Sequence, residues 1–126
     1  MTALLVRNNK LLLVRDGRSG NFALLGGSVE AGENNFTALK RELLEEVGLS
    51  LVSASLLFSF DLVNDTYQVP QTDHVYSVIV EGEPKASAEI VELGWYSRED
   101  ILSKKVKTPQ AFYEKLIPKL IEDSLI

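Results

Sequence analysis

Three glutamates close together in the chain, Glu42, Glu45 and Glu46, are the side chains best placed to do chemistry. In a helix, residues three and four positions apart are neighbours, so these carboxylates repel one another by about 0.2–0.5 kcal/mol per pair. Glu45 and Glu46 also precede Gly48, in the last helical turn, where the helix dipole disfavours negative charge. A cluster that costs stability indicates a function, and carboxylate oxygens are ligands that Mg²⁺ prefers.

The helix that must position these glutamates is predicted by an apolar stripe on the opposite side. At about 100° per residue, four apolar side chains fall on one face: Phe36, Leu39, Leu43 and Val47. We expect this stripe to be buried and the carboxylates to face outward together. Asn34 or Asn35 is expected to cap the start of the helix, and Gly48 to end it. A merely solvated acidic face is the alternative interpretation.

The spacing of residues 27–49 favours function over that alternative. The segment runs Gly27, five residues, Glu33, seven residues, and then Arg41-Glu42-Leu43-Leu44-Glu45-Glu46-Val47-Gly48-Leu49. This resembles the complete signature of the Nudix hydrolase family, G-x5-E-x7-R-E-U-x-E-E-x-G-U with U aliphatic, without a mismatch. At ordinary residue frequencies a chance match is expected at well under about one in a million positions. In the approach to the signature, Leu25 stands where the family usually has proline.

The resemblance implies hydrolysis of a nucleoside diphosphate linked to another group, with Mg²⁺, or Mn²⁺ as a substitute, as the cofactor. Carried over position by position, Glu45 and Glu46 are the metal ligands and Glu42 is a further ligand or a support. The resemblance also implies a metal-binding main-chain carbonyl near Gly27. In this chemistry metal ions neutralise charge that develops on the diphosphate oxygens and position or deprotonate a water.

Other site residues are expected on both sides of the metal glutamates. Glu33 and Arg41 are expected to pair and hold the loop against the helix. Glu89, six residues before Trp95, is the candidate base, with an exposed strand-start residue as the equal alternative. Arg15 and Arg18 are candidates for binding a phosphate, and solvated turn charges are the simpler interpretation. Four aromatic residues could stack on a nucleotide base or could be core: Phe22, Tyr67, Tyr76 and Trp95.

Composition narrows the function classes. A chain of 126 residues suits one domain, residues 1–126. A net charge of -5 argues against duplex nucleic acid as a partner. The absence of cysteine excludes thiolate nucleophiles and cysteine zinc sites, and the single His74 is expected to be an ordinary surface or strand residue. No segment approaches the about 20 apolar residues of a membrane span, which predicts a cytoplasmic protein. The protein is expected to be a monomer or a homodimer.

The remaining pattern predicts an α/β fold, a mixed β-sheet sandwiched between α-helices, which is also the fold that the resemblance implies. Residues 3–7 and 10–16 are expected to form a hairpin through Asn8-Asn9, and the run 11–14 is expected to be buried on both faces. Further strands are predicted at 51–63, 74–80 and 89–96, with a loop bracketed by residues 64–65 and 70–71. Ser97 should cap a short helix, and a terminal helix should begin at Thr108-Pro109 and bend or break at Pro118.

The group linked to the nucleotide is left open by the sequence. A short chain resembles family members that act on nucleoside triphosphates, including oxidised ones. Tyr67 lies near the offset that marks dinucleoside polyphosphate hydrolases, whereas Asn64 stands where ADP-ribose hydrolases have proline. Nucleotide-sugar hydrolysis is a further alternative. A nucleotide-binding regulatory module without catalysis is the rival from another class, and it predicts damaged metal positions, which this signature does not show.

Overall fold

The computed structural model of the protein describes residues 1–18, 20–63, 68–110 and 112–126. The elements in chain order are β1 (Thr2–Leu4), β2 (Val6–Arg7), β3 (Lys10–Asp16), β4 (Leu25–Gly26), α1 (Asn35–Val47), β5 (Ser50–Val63), β6 (Pro70–Glu81), β7 (Ile90–Ser97), α2 (Arg98–Leu102), a π-helical turn (Phe112–Leu116) and α3 (Ile117–Glu122). In the described ranges, no helix has the length and apolar character needed to cross a membrane.

The strands form two sheets, one mixed and one antiparallel. The mixed sheet has the order β4-β1-β6-β5, in which β1 runs parallel to β6 and the other pairs are antiparallel. The second sheet has the order β2-β3-β7. The predicted first strand is therefore divided, with β1 in one sheet and β2 in the other. The predicted tight turn is confirmed, since Asn8 and Asn9 have φ of 52° and 61°.

β3 is the central strand of the second sheet and is buried on both faces, as predicted. Leu12 and Val14 belong to a core cluster that includes Leu39, Leu43 and Val47 of α1. Leu11 and Leu13 belong to a second cluster, with Ile101 of α2 and residues of the C-terminal helical segment. Because side chains alternate along a strand, a continuous apolar run supplies both cores. The predicted sandwich of sheet between helices is confirmed.

Helix α1 begins and ends as predicted, but its buried face is displaced. Asn34 Oδ1 caps the helix by accepting from Thr37 N at 2.9 Å, and Gly48 ends it with a φ of 68°. The buried side chains are Ala38, Leu39, Leu43 and Val47, whereas the predicted Phe36 is 44% exposed. The prediction of a buried Phe36 is therefore wrong, because the helix turns Ala38 toward the core in its place.

The same displacement corrects the predicted position of the carboxylates. Ala38, Glu42 and Glu46 follow one another at four-residue spacing, so they lie on one ridge of α1. Burial of Ala38 draws the two glutamates inward, and the Glu42 side chain is 17% exposed whereas that of Glu45 is 56% exposed. The three carboxylates do not all face outward. Two of them face the segment that leads out of β4.

Two loop predictions also change. Pro70 and Gln71 belong to β6, where Pro70 pairs with Val63, and not to a loop. Proline is tolerated there because it is the first residue of the strand. The predicted loop residues 64–67, which include Tyr67, lie outside the described residues.

The C-terminal elements follow the prediction in part. Ser97 and Asp100 form the predicted capping box of α2. The predicted terminal helix is not continuous, because a π-helical turn precedes α3 and Pro118 lies in the first turn of α3. Proline cannot donate a main-chain hydrogen bond and clashes with the preceding turn, which accounts for a change of helix type immediately before it. The expected break at Pro118 is therefore a change from a π-helical turn to the α-helix α3.

Candidate active site

A cleft of about 440 Å³ brings together residues that are far apart in the sequence. Its walls come from α1, from the segments on either side of β4, and from the turn before β7. It is lined by Asp16, Arg18, Gly26, Glu30, Arg41, Glu42, Glu45, Glu46, Ala88, Glu89 and Ile90. A larger cavity of about 540 Å³ lies between α2 and the π-helical turn, but Glu114 is the one carboxylate among its described lining residues. The clustered carboxylates therefore identify the smaller cleft as the candidate site.

Arg41 ties the loop before α1 to the helix, as predicted. Its Nε donates to Glu33 Oε2 at 2.8 Å and its Nη2 donates to Glu33 Oε1 at 3.0 Å. Nη2 also donates to the Ser28 carbonyl at 3.1 Å. The Arg41 guanidinium lowers the pKa of the Glu33 carboxyl below its usual value, with help from the main-chain N–H of Glu30. Two-point pairing of this kind fixes direction as well as distance.

Arg41 also reaches the carboxylates of the helix. Its Nη1 lies 2.9 Å from Glu42 Oε1 and 3.4 Å from Glu45 Oε2. Hydrogen bonds from Arg41 to Glu33 and Glu42 raise the pKa of the guanidinium, so it is charged throughout the ordinary pH range. One cation is thus shared among several anions, and it partly offsets their mutual repulsion.

Gly27 lies against this cluster and cannot be replaced by a larger residue without displacement. A Cβ atom added at Gly27 would come within 2.8 Å of Glu42 Cδ and closer still to its Oε1. The Gly27 carbonyl accepts a hydrogen bond from the Met1 main-chain nitrogen at 2.9 Å, and Gly27 N donates to the Met1 carbonyl at 3.1 Å. The glycine of the signature is thus required by a close approach of main chain and carboxylate.

Glu46 is the most perturbed carboxyl of the cleft. The Gly26 main-chain N–H donates to its Oε1 at 3.2 Å. Burial, followed by the negative charges of Glu42 and Glu45, raises the pKa of Glu46 to about 8. A carboxyl that is buried beside two others lacks a compensating cation, and perturbation of this kind is typical of functional sites.

The carboxylates of Glu42, Glu45 and Glu46 are suitable ligands for a hard divalent cation, although their oxygens do not converge on one position in this structure. Among the described residues, no three acidic, histidine or cysteine side chains stand in the arrangement of a metal centre. Arg41 Nη1 lies 2.9 Å from Glu42 Oε1 and 3.4 Å from Glu45 Oε2, so these two carboxylates are engaged with a cation of the protein itself. Carboxylate oxygens gathered at one end of a cleft are nonetheless the ligands that Mg²⁺ prefers. The side chains of Glu42 and Glu45 would have to turn from Arg41 toward the ion.

Of the described candidates outside the signature, Arg18 and Glu89 line the cleft, whereas Arg15, Phe22, Tyr76 and Trp95 are not among its lining residues. Arg18 Nη2 lies 3.1 Å from Glu89 Oε2. Arg15 is paired instead with Glu92 at 3.1 Å along the β3/β7 pair and is not among the residues that line the cleft. Phe22 packs edge to face on Tyr96, with ring centroids 5.4 Å apart, in the core below α2.

The remaining aromatic and histidine candidates have structural partners. Trp95 packs against the α1 core and lies under the Arg7 guanidinium at 5.5 Å, and the Tyr76 hydroxyl accepts from Asn35 Nδ2 at 2.6 Å. His74 Nδ1 is hydrogen-bonded to Ser59 Oγ at 2.6 Å at an exposed position. Tyr67 lies outside the described residues. These positions favour the structural interpretation of Trp95, Tyr76 and Phe22 over base stacking.

The cleft also contains residues that the sequence pattern did not identify as candidates, among them Asp16, Glu30 and Ala88. Asp16 and Glu30 add two carboxylates to its lining, and Glu30 Oε1 lies 3.7 Å from Arg41 Nη1. Ala88 has a φ of 53°, which only the structure reveals. A signal existed for Asp16 alone, because it ends the doubly buried strand β3 and must therefore lie at the edge of the sheet.

Comparison with known proteins agrees with this geometry. The sequence profile of the NUDIX domain matches residues 1–120. The chain is 31% identical over 93 residues to the nucleoside triphosphatase NudI of Escherichia coli, and this match covers 66% of each chain, just under two thirds. Its structure is similar to that of a MutT NUDIX hydrolase from Burkholderia pseudomallei, with a TM-score of 0.75, 27% identity and coverage of 94% of this chain and 92% of the other.

A second solved structure gives the same result. The Escherichia coli ORF135 protein has a TM-score of 0.77 and 27% identity, with coverage of 96% of this chain and 86% of that protein. Nudix hydrolases generally use a divalent metal and act on small-molecule nucleotides. Four residues of the signature, Arg41, Glu42, Glu45 and Glu46, line one cleft. The profile match over most of the chain shows that this protein belongs to the NUDIX family of hydrolases.

Proposed function

We propose that this protein is a Mg²⁺-dependent nucleotide pyrophosphatase whose substrate is a nucleoside triphosphate. The observation that carries the proposal is the convergence of Glu42, Glu45 and Glu46 on one cleft, where burial and crowding raise the pKa of Glu46 to about 8. Such a site binds a cation more readily than it remains ionised without one. The name of the similar nucleoside triphosphatase supports the choice of substrate.

The metal ligands in this proposal are the carboxylates of Glu45 and Glu46, with Glu42 and the Gly27 carbonyl as further ligands or supports. When bound, Mg²⁺ would neutralise phosphate charge and lower the pKa of a bound water. Arg41 and Glu33 contribute by position. Their two-point pair holds the segment that carries Gly27 at a fixed distance from α1.

The water that attacks phosphorus needs a proton acceptor, and we assign this role to Glu89. Its carboxylate lines the same cleft as the helix glutamates. As the new phosphorus–oxygen bond forms, Glu89 would take the proton of the water, and the bond to the bridging oxygen would break toward the leaving phosphate group. Arg18, on the same edge of the cleft, is the cation best placed to bind the phosphate chain, because Arg41 is engaged with Glu33 and Glu42.

A substrate panel tests this proposal. Phosphate-product release would be measured with canonical and oxidised nucleoside triphosphates, dinucleoside polyphosphates, ADP-ribose and nucleotide sugars, each with Mg²⁺ and with chelator. We expect Mg²⁺-dependent cleavage of a nucleoside triphosphate well above that of the other classes. Faster cleavage of another class of compound would show that the substrate is not a nucleoside triphosphate. Nucleotide binding without turnover would support the regulatory module in place of the enzyme.

A further inference from the structure

Two oppositely charged side chains from separate segments meet at the edge of the cleft. Arg18, in the loop after β3, and Glu89, just before β7, form an ion pair with 3.1 Å between Nη2 and Oε2. Both line the cleft that contains the helix glutamates, and their side chains are 77% and 75% exposed. An incoming ligand therefore has direct access to both partners.

The pair is weak enough to be exchanged. Solvent and salt screen an exposed arginine–glutamate contact, and two long side chains must lose freedom to make it. A phosphate group offers the same guanidinium more negative charge and a matching two-point geometry. Among the described residues that line the cleft, the cations are Arg18 and Arg41, and Arg41 already contacts Glu33 and Glu42. A polyphosphate in the cleft therefore competes with Glu89 for Arg18.

Glu89 is held at the cleft by its main chain, independently of Arg18. The Gly17 N–H donates to the Glu89 carbonyl at 3.2 Å, and Ser87 N donates to the Glu46 carbonyl at 3.0 Å. Ile90 N donates to the Ser87 carbonyl at 3.0 Å, which closes a tight turn with Ala88 in a left-handed conformation, φ 53°. Such a conformation is unfavourable for alanine and persists only where the surroundings impose it. Loss of the Arg18 side chain would therefore leave the main chain of Glu89 at the edge of the cleft.

We propose that the Arg18/Glu89 pair is opened by the substrate, so that a phosphate group takes Arg18 and releases the Glu89 carboxylate. This rests on the proposed function and goes beyond it, because it makes the proton acceptor available only when a phosphate chain is bound. Arg18 then has two partners in turn, Glu89 in the free protein and phosphate in the complex. Glu89 consequently weakens substrate binding, because it competes for Arg18, and it accelerates the reaction, because it accepts the proton of the water.

A double-mutant cycle on binding tests the exchange without relying on turnover. The probe is the Mg²⁺ complex of a nucleoside triphosphate in which imido groups replace the bridging oxygens, and its Kd is measured by calorimetry for the wild-type protein, Arg18→Ala, Glu89→Gln and the double variant. Glu89→Gln should tighten binding about two- to fivefold, since it frees Arg18. Arg18→Ala should weaken binding about tenfold or more in the Glu89→Gln background. In the wild-type background the loss should be smaller by the same two- to fivefold factor.

Equal losses in the two backgrounds would overturn the proposal, because they would mean that Arg18 and Glu89 do not compete with phosphate. The control is the Arg7/Glu83 pair, an arginine–glutamate contact outside the cleft with 3.4 Å between Nη1 and Oε2, in which Arg7 is 35% exposed and Glu83 is 83% exposed. The same cycle with Arg7→Ala and Glu83→Gln should leave Kd unchanged.

Steady-state kinetics supply a second readout. Arg18→Ala should raise KM by a larger factor than it lowers kcat, whereas Glu89→Gln should lower kcat with KM unchanged or reduced. A fall in kcat alone for Arg18→Ala would contradict the exchange. If the wild-type protein binds the imido probe but hydrolyses no nucleotide, the proposed function fails, and the exchange is still decided by the binding cycle.

Discussion

Arg41 and Glu33 are joined at two points, with Arg41 Nε and Nη2 donating to the two Glu33 oxygens at 2.8 and 3.0 Å. The remaining Arg41 nitrogen, Nη1, lies 2.9 Å from Glu42 Oε1. One side chain thus fixes the loop of the signature and one of its carboxylates together. This relationship explains why a sequence pattern spread over residues 27–49 is a single structural unit.

Replacement of Arg41 by lysine should therefore act on geometry and not on charge. Lysine keeps a positive charge but cannot pair at two points and reach Glu42 as well. We expect Arg41→Lys to lower kcat by about 10- to 100-fold, the usual loss when a residue that orients metal ligands is changed. Steady-state kinetics with saturating Mg²⁺ would measure it. Lys40→Arg on the neighbouring position is the control and should retain activity. Full activity of Arg41→Lys would show that catalysis does not need the two-point pair of Arg41 with Glu33.

Gly27→Ala should displace Glu42 while leaving the fold intact. The added Cβ would press on the Glu42 carboxylate, which is the end of a flexible side chain and can move. Since a displacement of about 1 Å can cost about 100-fold in rate, we expect a loss of that size with a small change in melting temperature. Gly20→Ala is the matched control, because the atom nearest to its added Cβ would be Lys107 Nζ at 4.0 Å. Equal activity of both alanine variants would contradict the close approach at Gly27.

Glu46 should make the metal-free protein less stable as the pH rises. Its pKa in the folded protein is about 8, above the 4.5 of an ordinary glutamate. Between these values the folded state binds more protons than the unfolded state, so the free energy of unfolding falls as the pH increases. In chelator, the melting temperature should fall between pH 6 and pH 9 more steeply for the wild type than for Glu46→Gln. Parallel profiles for the two proteins would show that Glu46 has no raised pKa.

Metal binding should release a proton at neutral pH. A carboxyl with a pKa of about 8 is mostly protonated at pH 7 and must ionise before it can coordinate a cation. Calorimetric titration with Mg²⁺ in two buffers of different ionisation enthalpy should give different apparent enthalpies for the wild type. The difference should disappear in Glu46→Gln, and it should shrink for the wild type above pH 9. Binding enthalpies of the wild type that are independent of the buffer at pH 7 would contradict ligation by Glu46.

The sequence predicted the local elements of the site because their signals are local. The cap at Asn34, the end at Gly48 and the Arg41/Glu33 pair depend on neighbours within one segment. The doubly buried strand β3 was likewise evident from its uninterrupted apolar run. These features need no knowledge of distant residues.

Other features depend on packing between segments and were not predictable from the pattern. A helical wheel places Phe36 and Val47 on one face, but the rotation of α1 about its axis, set by packing, leaves Ala38 buried and Phe36 exposed. The same rotation turns Glu42 and Glu46 inward. The left-handed conformation of Ala88 is imposed by contacts with the end of α1, which no local rule for alanine would indicate.

Metal-dependent hydrolysis through Glu46 is tested by comparing the turnover of the wild type with that of Glu46→Gln. Product release from a nucleoside triphosphate would be measured for the wild type and for Glu46→Gln, each with Mg²⁺ and after chelation, with circular dichroism to verify the fold. We expect chelation to abolish wild-type turnover and folded Glu46→Gln to lose about 100-fold or more in rate with Mg²⁺ present. Turnover that survives chelation, or an unchanged rate in Glu46→Gln, would contradict metal-dependent hydrolysis through Glu46.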